Sequence, residues 1–416
     1  MDQVNGNRHY DIVIVGAGII GLTLARELAL RRRGRILILD KEQSSGRHAS
    51  GRNSGVVHAG IYYPPNTLKA KLCVDGHRQL IEYVEANSLP ILKCGKVIVA
   101  PSLGQASQLD ELHHRALSNG VAIGKISLEE LRKLEPSARS FGGALWSPST
   151  AVIDSRAVLD HLVREIQGLG VDIRFDFQVS DIDPDKKKLG GKHESFSFEL
   201  LYNTAGAQAD RIAHKFGLGR QYRILPFKGM YWRSSARLER VIKRLIYPVP
   251  NLEMPFLGVH ITRTVDGKVL FGPTAIPAFG RENYSLFGSL DWIDTPAISW
   301  NLAKMLIRNP QNVRSYVRQE MHRYRPMNFF KEAATLVGDL KPDDIGEFYK
   351  VGIRAQLVDL NSSSLVMDFL VVSGPSSIHV LNAVSPAFTS AFAFASHLAD
   401  LQDRPTVAAE HLKPSH

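Results

Sequence analysis

The chain is poor in cysteine: Cys73 and Cys94 are the only two in 416 residues. That is too few for a disulfide framework, and their spacing fits no metal cluster. No metal is expected, and a reducing compartment is. No apolar run approaches the roughly 20 residues needed to cross a bilayer. The first ten residues, Met1 to Tyr10, are polar and unlike a secretory signal. The cytoplasm is therefore the expected location, with the protein free or held peripherally on the cytoplasmic face of a membrane. Zinc-finger spacing and RNP-like sequence are missing, so nucleic acid is not an expected partner. Internal repeats and low-complexity segments are missing too. Acidic residues are outnumbered, 41 against 51 Lys and Arg, for a net charge of +10. That balance favours anionic partners, among them acidic substrates and anionic lipid. Nothing in the composition sets the oligomeric state.

What is present suffices for a sizeable core: 44% of residues are hydrophobic and 22% charged, as in an ordinary globular protein. A chain of this length exceeds one simple core, so two domains are expected. Residues 10–15 are a short apolar run, read as a buried parallel strand. Residues 19–33 carry a helical stripe of Leu22, Leu24, Ala25, Leu28 and Ala29. Gly34 is expected to end that helix, with Arg31, Arg32 and Arg33 at the negative end of its dipole. Residues 35–39 read as a second strand. Beyond them lie a Gly- and Ser-rich loop at 46–60 and a helix at 68–87. A different region begins with residues 97–100.

Ser127 and Glu130 form a capping-box pair. A helix spans 154–168 behind Asp154 or Ser155. Strands are expected at 171–177 and 195–202, with a charged hairpin at 183–191 between them. A second sheet takes 226–233, 257–264 and 268–272, with Asp266-Gly267 as a hairpin turn. Residues 297–330 are helical, broken by Pro310 and Pro326. A strand at 378–381 and a helix at 385–401 follow.

Gly16-Ala17-Gly18-Ile19-Ile20-Gly21 joins the first strand to the first helix, and the second strand ends in Asp40. That context turns a weak glycine pattern into a dinucleotide site. Gly16 makes the tight turn, Gly18 admits a pyrophosphate and Gly21 lets helix and strand pack closely. The pyrophosphate meets backbone N–H groups at the helix N-terminus, and Asp40 is placed for a ribose hydroxyl. These residues alone leave FAD and NAD open. Asn382-Ala383-Val384-Ser385-Pro386 would start a helix whose N–H groups face a partly negative group, such as the C2 oxygen of a flavin. An ordinary helix capped by Ser385 with Pro386 first fits the same residues.

Several segments resemble the D-amino-acid-oxidase-like FAD family, and within it the branch that oxidises L-2-hydroxyglutarate. They are Gly16 to Gly21, Ser50 to Tyr63 and Leu68 to Cys73. Asn203-Thr204-Ala205-Gly206 with Ala209-Asp210 belongs with them, as do Tyr247 to Pro250 and Gly258-Val259-His260. Gly352 to Gln356 and His379 to Ala383 complete the set. The likeness runs from Tyr10 to about Leu401. It departs at Met230, where an acidic residue is expected, and at Phe388, where a small one is.

The resemblance implies an α/β chain with a Rossmann-type FAD-binding domain and a second, antiparallel-sheet substrate domain. The flavin domain would take 1–92, 142–222 and 346–416, and the substrate domain 93–141 and 223–345. FAD would lie against Gly16, Gly18, Ile19, Ile20, Gly21, Asp40, Lys41, Arg52, Asn53, Ser54, Gly55 and Val57. Val179, Ala205, Gly206, Arg354, Ser385, Pro386, Ala387, Phe388 and Thr389 would complete the cofactor site.

Oxidation of a 2-hydroxy acid needs a cation for the carboxylate, a base for the hydroxyl proton, and the C–H aimed at flavin N5. Arg354 is the expected clamp, because guanidinium matches carboxylate in two parallel bonds. His58 and His260 compete for the base. Lys228, Arg263, Lys71 and Arg52 are the candidates for a second carboxylate, and Tyr62 is a further substrate contact. An amine or amino-acid oxidase, which would release ammonia, is the alternative activity. Trp292, Trp300 and Tyr316 with the basic stretch to Lys331 suggest a surface that meets anionic lipid; it would give access to a membrane quinone instead of oxygen.

Overall fold

The structure is a computed structural model that describes residues 8–192, 194–250, 257–285, 291–323 and 325–403. In chain order, the elements that build the site begin with β1 (Arg8–Val15), α1 (Ile19–Leu30), β2 (Ile36–Leu39), α2 (Leu68–Ala86) and β3 (Lys96–Val99). Then come α3 (Ser155–Gly168), β4 (Asp172–Arg174), β5 (Ser195–Asn203), β6 (Tyr222–Ser234), β7 (Leu245–Pro248), β8 (His260–Arg263) and β9 (Val269–Gly272). The last are α4 (Thr295–Arg308), β10 (Ile345–Asp359), β11 (Ser377–Asn382) and α5 (Ala387–Gln402).

Among the described residues two large sheets share the chain. The first has a parallel centre in the order β11–β5–β1–β2–β4. Parallel strands covered on both faces read as continuous apolar runs, and β2 is buried along its whole length. Helix α1 lays Leu22, Leu24, Ala25 and Leu28 into one core with Val158 and Leu162 of α3 and Phe394 and Leu398 of α5. Helices α2 and α5 approach closely at Gly76, where an added Cβ would lie 2.6 Å from Ser390 Cα. The second sheet runs β10–β6–β9–β8–β7–β3 through its centre. It is antiparallel except where β7 and β3 pair parallel, so it is mixed and not purely antiparallel as expected.

Most expected elements appear, with local changes. The capping box at Ser127 and Glu130 is formed, Asp154 caps α3, and Thr264 closes the Asp266-Gly267 turn onto Lys268. Helix α1 stops before Gly34, because Arg32 already takes a left-handed φ of 53°. Arg31 pairs with Asp400 in the last turn of α5, Arg33 with Asp403 just beyond it, and Arg35 with Asp172. The basic cluster is therefore answered by acids instead of standing free. Helix α5 starts at Ala387, and no side chain caps it. Strands Ala144–Ser147 and β10 fall on the flavin side of the expected boundaries, yet by pairing they belong to the second sheet.

A buried charge cluster ties the two sheets together. Arg281, in the segment after β9, bonds Asp210 beyond β5 and Asp294 before α4, all three buried. Asp210 also accepts the Ile224 N–H of β6. Removing one partner of a buried pair strands the other charge, at a cost of about 3–5 kcal/mol. Arg281→Met is therefore expected to lower the unfolding free energy by that amount, read as an earlier midpoint in chemical denaturation. An unchanged midpoint would show that the cluster contributes nothing net.

Candidate active site

The first sheet ends in a cavity of ≈ 860 Å³. Its floor is the turn between β1 and α1. Gly16 has φ +110°, and a Cβ there would meet the Thr204 carbonyl at 2.6 Å. At Gly21 a Cβ would lie 2.0 Å from the Gly16 carbonyl, so helix and turn touch backbone to backbone. Gly18 differs: an added Cβ would have only Ser50 Oγ nearby, at 3.1 Å. Its open side faces the cavity, where the first N–H groups of α1 lack intrahelical partners. A pyrophosphate fits this cradle. Asp40 accepts the Ala17 N–H at 2.7 Å and the Glu42 N–H at 2.9 Å, so it shapes the glycine turn as well as lining the cavity. Burial raises the pKa of its carboxyl.

Ile19, Ile20, Lys41, Arg52, Asn53, Ser54, Gly55, Val179, Ala205 and Gly206 also line the cavity. Lys41 pairs with Glu42 and Glu282. Arg52 lies 4.1 Å over the Tyr284 ring, and Asn53 Oδ1 fixes the Gly55 N–H at 2.8 Å. Ser385, Pro386, Ala387, Phe388 and Thr389, at the start of α5, close the far side. Thr389 Oγ1 accepts the His58 N–H at 3.1 Å. The Ser385 hydroxyl does not cap α5; it acts on the half-buried Tyr63, whose phenol burial holds well above its usual pKa.

The second sheet supplies the other end. Strands β6 and β10 pair so that Gly229 stands opposite Gly352 and Phe227 opposite Arg354. Side chains alternate along a strand, so Gly229, Tyr231, Gly352 and Arg354 share one face, and all four line the cavity. His260 on β8 and Tyr247 on β7 stack at 3.9 Å between ring centroids. His260 Nδ1–H donates to the Gly258 carbonyl at 2.8 Å, which leaves Nε2 as the acceptor. Burial takes the His260 pKa down to about 3, helped by the charges of Arg354 and Lys96. His58 is held well below its usual value by burial first and by Lys96 next. Its Nδ1 is buried with no hydrogen-bond partner among the described residues.

Two expected substrate cations point elsewhere. Lys228 is one residue out of phase with Gly229 and Tyr231, so it projects from the opposite face of β6. Its Nζ bonds Asn283 at 3.1 Å and the Ser285 carbonyl at 2.6 Å. Met230 shares that opposite phase and does not line the cavity, whereas Phe388 does. Arg263 is likewise out of phase with His260; it donates to the carbonyls of Glu239 and Ile242, at and just beyond the end of helix Ala236–Val241. Val57 is core and Gly21 is packing; neither reaches the cavity. Tyr62 sits behind the wall against Lys96. Tyr231, Tyr247, Ser50 and Thr204 were not anticipated as lining residues; strand alternation through Gly229 and His260 is the signal that finds the first two.

The family of FAD dependent oxidoreductases (DAO) matches residues 11–401. This chain belongs to that family. Its fold and its cofactor, FAD, follow from membership, and the glycine cradle and uncapped α5 fit that cofactor. The flavoenzyme is 34% identical over 407 residues to L-2-hydroxyglutarate dehydrogenase of Escherichia coli strain K12, covering 94% of this chain and 92% of that one. It is 35% identical over 413 residues to the mitochondrial L-2-hydroxyglutarate dehydrogenase of Homo sapiens, covering 94% and 88%. Among solved structures, L-alpha-glycerophosphate oxidase from Mycoplasma pneumoniae with FAD bound superposes with a TM-score of 0.75 at 22% identity, covering 97% of each chain.

Two glycines of the cradle are expected to fail differently. Gly18→Val should leave a folded protein without flavin, because its side chain would occupy the pyrophosphate's approach while meeting little protein. Gly21→Val should lose the fold as well. Flavin absorbance per mole of protein, beside thermal unfolding, separates the two. Normal flavin content in Gly18→Val would remove the cofactor from this turn.

Proposed function

We propose that this flavoprotein oxidises a 2-hydroxy acid, L-2-hydroxyglutarate, to 2-oxoglutarate. One observation supports it beside the named relatives: the substrate end of the cavity is cationic. The acids among the cavity's described lining residues are Asp40, Glu42, Glu282 and Asp291. They belong to the dinucleotide end, with Ala17, Lys41 and Arg211. Around Arg354 stand two neutral histidines and two tyrosines. An anionic substrate complements that end; an ammonium-bearing one does not.

Arg354 holds the substrate's 1-carboxylate by its guanidinium fork. His260 Nε2 takes the hydroxyl proton, its tautomer fixed by Gly258 and its ring held flat against Tyr247. A carboxylate that neutralises Arg354 also relieves the charge that depresses His260, so substrate binding strengthens the base. FAD supplies the hydride acceptor for the carbon-bound hydrogen. The start of α5 and the Tyr231 wall keep bulk water from the site.

A second surface favours a membrane partner. Trp292 is 85% exposed, Ile293 81%, Trp300 63% and Ile307 73%. Positions 293, 300, 304 and 307 follow helical spacing along one outward stripe of α4 and its approach, and Lys304 lies 5.2 Å over the Trp300 ring. Exposed aromatics with cations fit the headgroup layer of an anionic bilayer. Tyr316 is not part of this surface: it is buried and donates to the Ala275 carbonyl at 2.8 Å. No helix among the described residues is long and apolar enough to cross a membrane, so the contact would be peripheral. It would bring the cofactor to a quinone acceptor; in its absence oxygen would serve.

Anaerobic L-2-hydroxyglutarate should bleach the flavin, and its D enantiomer should not. In Arg354→Met the flavin should remain while affinity falls about 10- to 150-fold, from the roughly 1.5–3 kcal/mol of a charge-assisted bond. Bleaching by an amino acid with ammonia release, and by neither enantiomer, would replace this reading with an amine oxidase. Near-normal reduction of Arg354→Met at low substrate would take the clamp from Arg354.

The protein should sediment with anionic vesicles and be released as salt rises, since screening shortens to about 8 Å at physiological ionic strength. Trp300→Ser should weaken that binding. Sedimentation with neutral vesicles alone, or with none, would reject the membrane contact.

A further inference from the structure

Lys96 is a cation that nothing in the mechanism so far uses. It opens β3, and its side chain is fully buried. Its Nζ has no hydrogen-bond partner among the described residues. Two aromatic faces hold it instead, Tyr62 at 4.6 Å and Tyr247 at 5.0 Å from the ring centroids. A buried ammonium is costly unless an opposite charge answers it. Burial takes the Lys96 pKa down to about 7, and the one titratable group that opposes this is the thiol of Cys73, which burial pushes up to about 12 and so keeps neutral; a carboxylate brought near Lys96 would restore its charge.

Strand register shows where that charge points. In the parallel pairing of β7 with β3, Leu245 stands opposite Lys96 and Tyr247 opposite Ile98. Lys96 therefore projects from the face that carries Tyr247. Ile246 pairs with Ile261 across β7 and β8, which sets Tyr247 opposite His260 on that same face. Lys96 thus lies beyond Tyr247 in the sheet that presents His260 and Arg354. Its field reaches both histidines, whose protonation it disfavours. The Tyr62 hydroxyl beside it is also buried with no hydrogen-bond partner among the described residues.

We propose that Lys96 supplies the second positive charge of the substrate end and selects a 2-hydroxy acid that carries a second carboxylate. The proposal rests on the hydroxy-acid reading above and adds the origin of its preference for a diacid. Arg354 takes the carboxylate beside the reacting carbon. The distal carboxylate settles toward Tyr247, where its charge answers Lys96 across the ring. Lys96 is a positioning residue, since Tyr247 lines the cavity and Lys96 does not. Lys228 and Arg263 cannot take this part, because both project from the opposite faces of their strands.

The test compares two substrates of the holoenzyme, L-2-hydroxyglutarate and L-2-hydroxybutyrate, which lacks the second carboxylate. Rapid anaerobic flavin reduction gives the limiting rate and the half-saturating concentration for each in wild type, Lys96→Met and Lys96→Arg. Lys96→Met should raise the half-saturating concentration for the diacid about 10- to 100-fold, leave its limiting rate within a few-fold, and leave the monoacid nearly unchanged. Lys96→Arg should restore most of the diacid preference. Glutarate, a diacid with no hydroxyl to oxidise, should perturb the flavin spectrum of wild type and Lys96→Arg at far lower concentration than that of Lys96→Met. Equal losses for both acids in Lys96→Met, with flavin retained, would make Lys96 a packing residue and overturn the proposal. If Lys96→Met does not fold, the Arg variant and the wild-type diacid-to-monoacid ratio decide: a ratio near one overturns it. Wild type that reduces with neither acid fails on the hydroxy-acid reading itself, a result distinct from these.

Discussion

The antiparallel pairing of Tyr222–Ser234 with Ile345–Asp359 governs the rest of the active site. It runs in one register from Tyr222 opposite Asp359 to Tyr231 opposite Lys350. A slip of Tyr222–Ser234 by one residue against its partner would turn Tyr231 away from the cavity and bring Lys228 and Met230 into it; the same slip of the partner would turn Arg354 away. Both strands reach from the end shared with the flavin sheet toward the far end of the second sheet. Catalytic side chains can therefore be set against a cofactor that the other sheet holds. The glycines opposite one another, Gly229 and Gly352, keep this stretch thin; a Cβ on Gly352 would meet the Arg52 carbonyl at 3.0 Å.

The two ends of the cavity follow opposite electrostatic rules. At the dinucleotide end charges are paired locally, Lys41 with Glu42 and Glu282, and the ligand is met by backbone N–H groups. At the substrate end Lys96 has no hydrogen-bond partner among the described residues, and the histidines are kept neutral by burial. The first arrangement holds a pyrophosphate on backbone N–H groups at the positive end of α1. The second has a strong preference for an incoming anion, because the anion is the missing counter-charge.

The dinucleotide end was the more legible in sequence, and the reason is geometric. Its ligand is held by backbone, and the backbone requirement leaves glycines at fixed spacing, as in Gly16, Gly18 and Gly21. The substrate end is built from side chains on five strands that are distant in sequence. Which residue of Phe227-Lys228-Gly229-Met230-Tyr231 faces inward is a matter of phase, and composition favours the charged one, Lys228, which faces out. Arg263 misleads in the same way. Lys96 lies in a short apolar strand where a buried cation leaves no periodic trace. The basic cluster at Arg31 to Arg33 is legible as helix-end charges, but its pairing with Asp400 and Asp403, hundreds of residues away, is not.

The cofactor cavity is sealed by parts from both extremes of the described chain: the turn at Gly16 and the start of α5 at Thr389. A ribosome makes the first long before the second, and domains tend to fold as their residues emerge. The glycine cradle, once synthesised, lacks its lid until β11 and α5 have left the exit tunnel. A chain stalled anywhere before residue 389 has all of the pyrophosphate turn and cannot enclose a flavin. Tight flavin retention would thus report that translation has passed this point, with helix α5 made and docked.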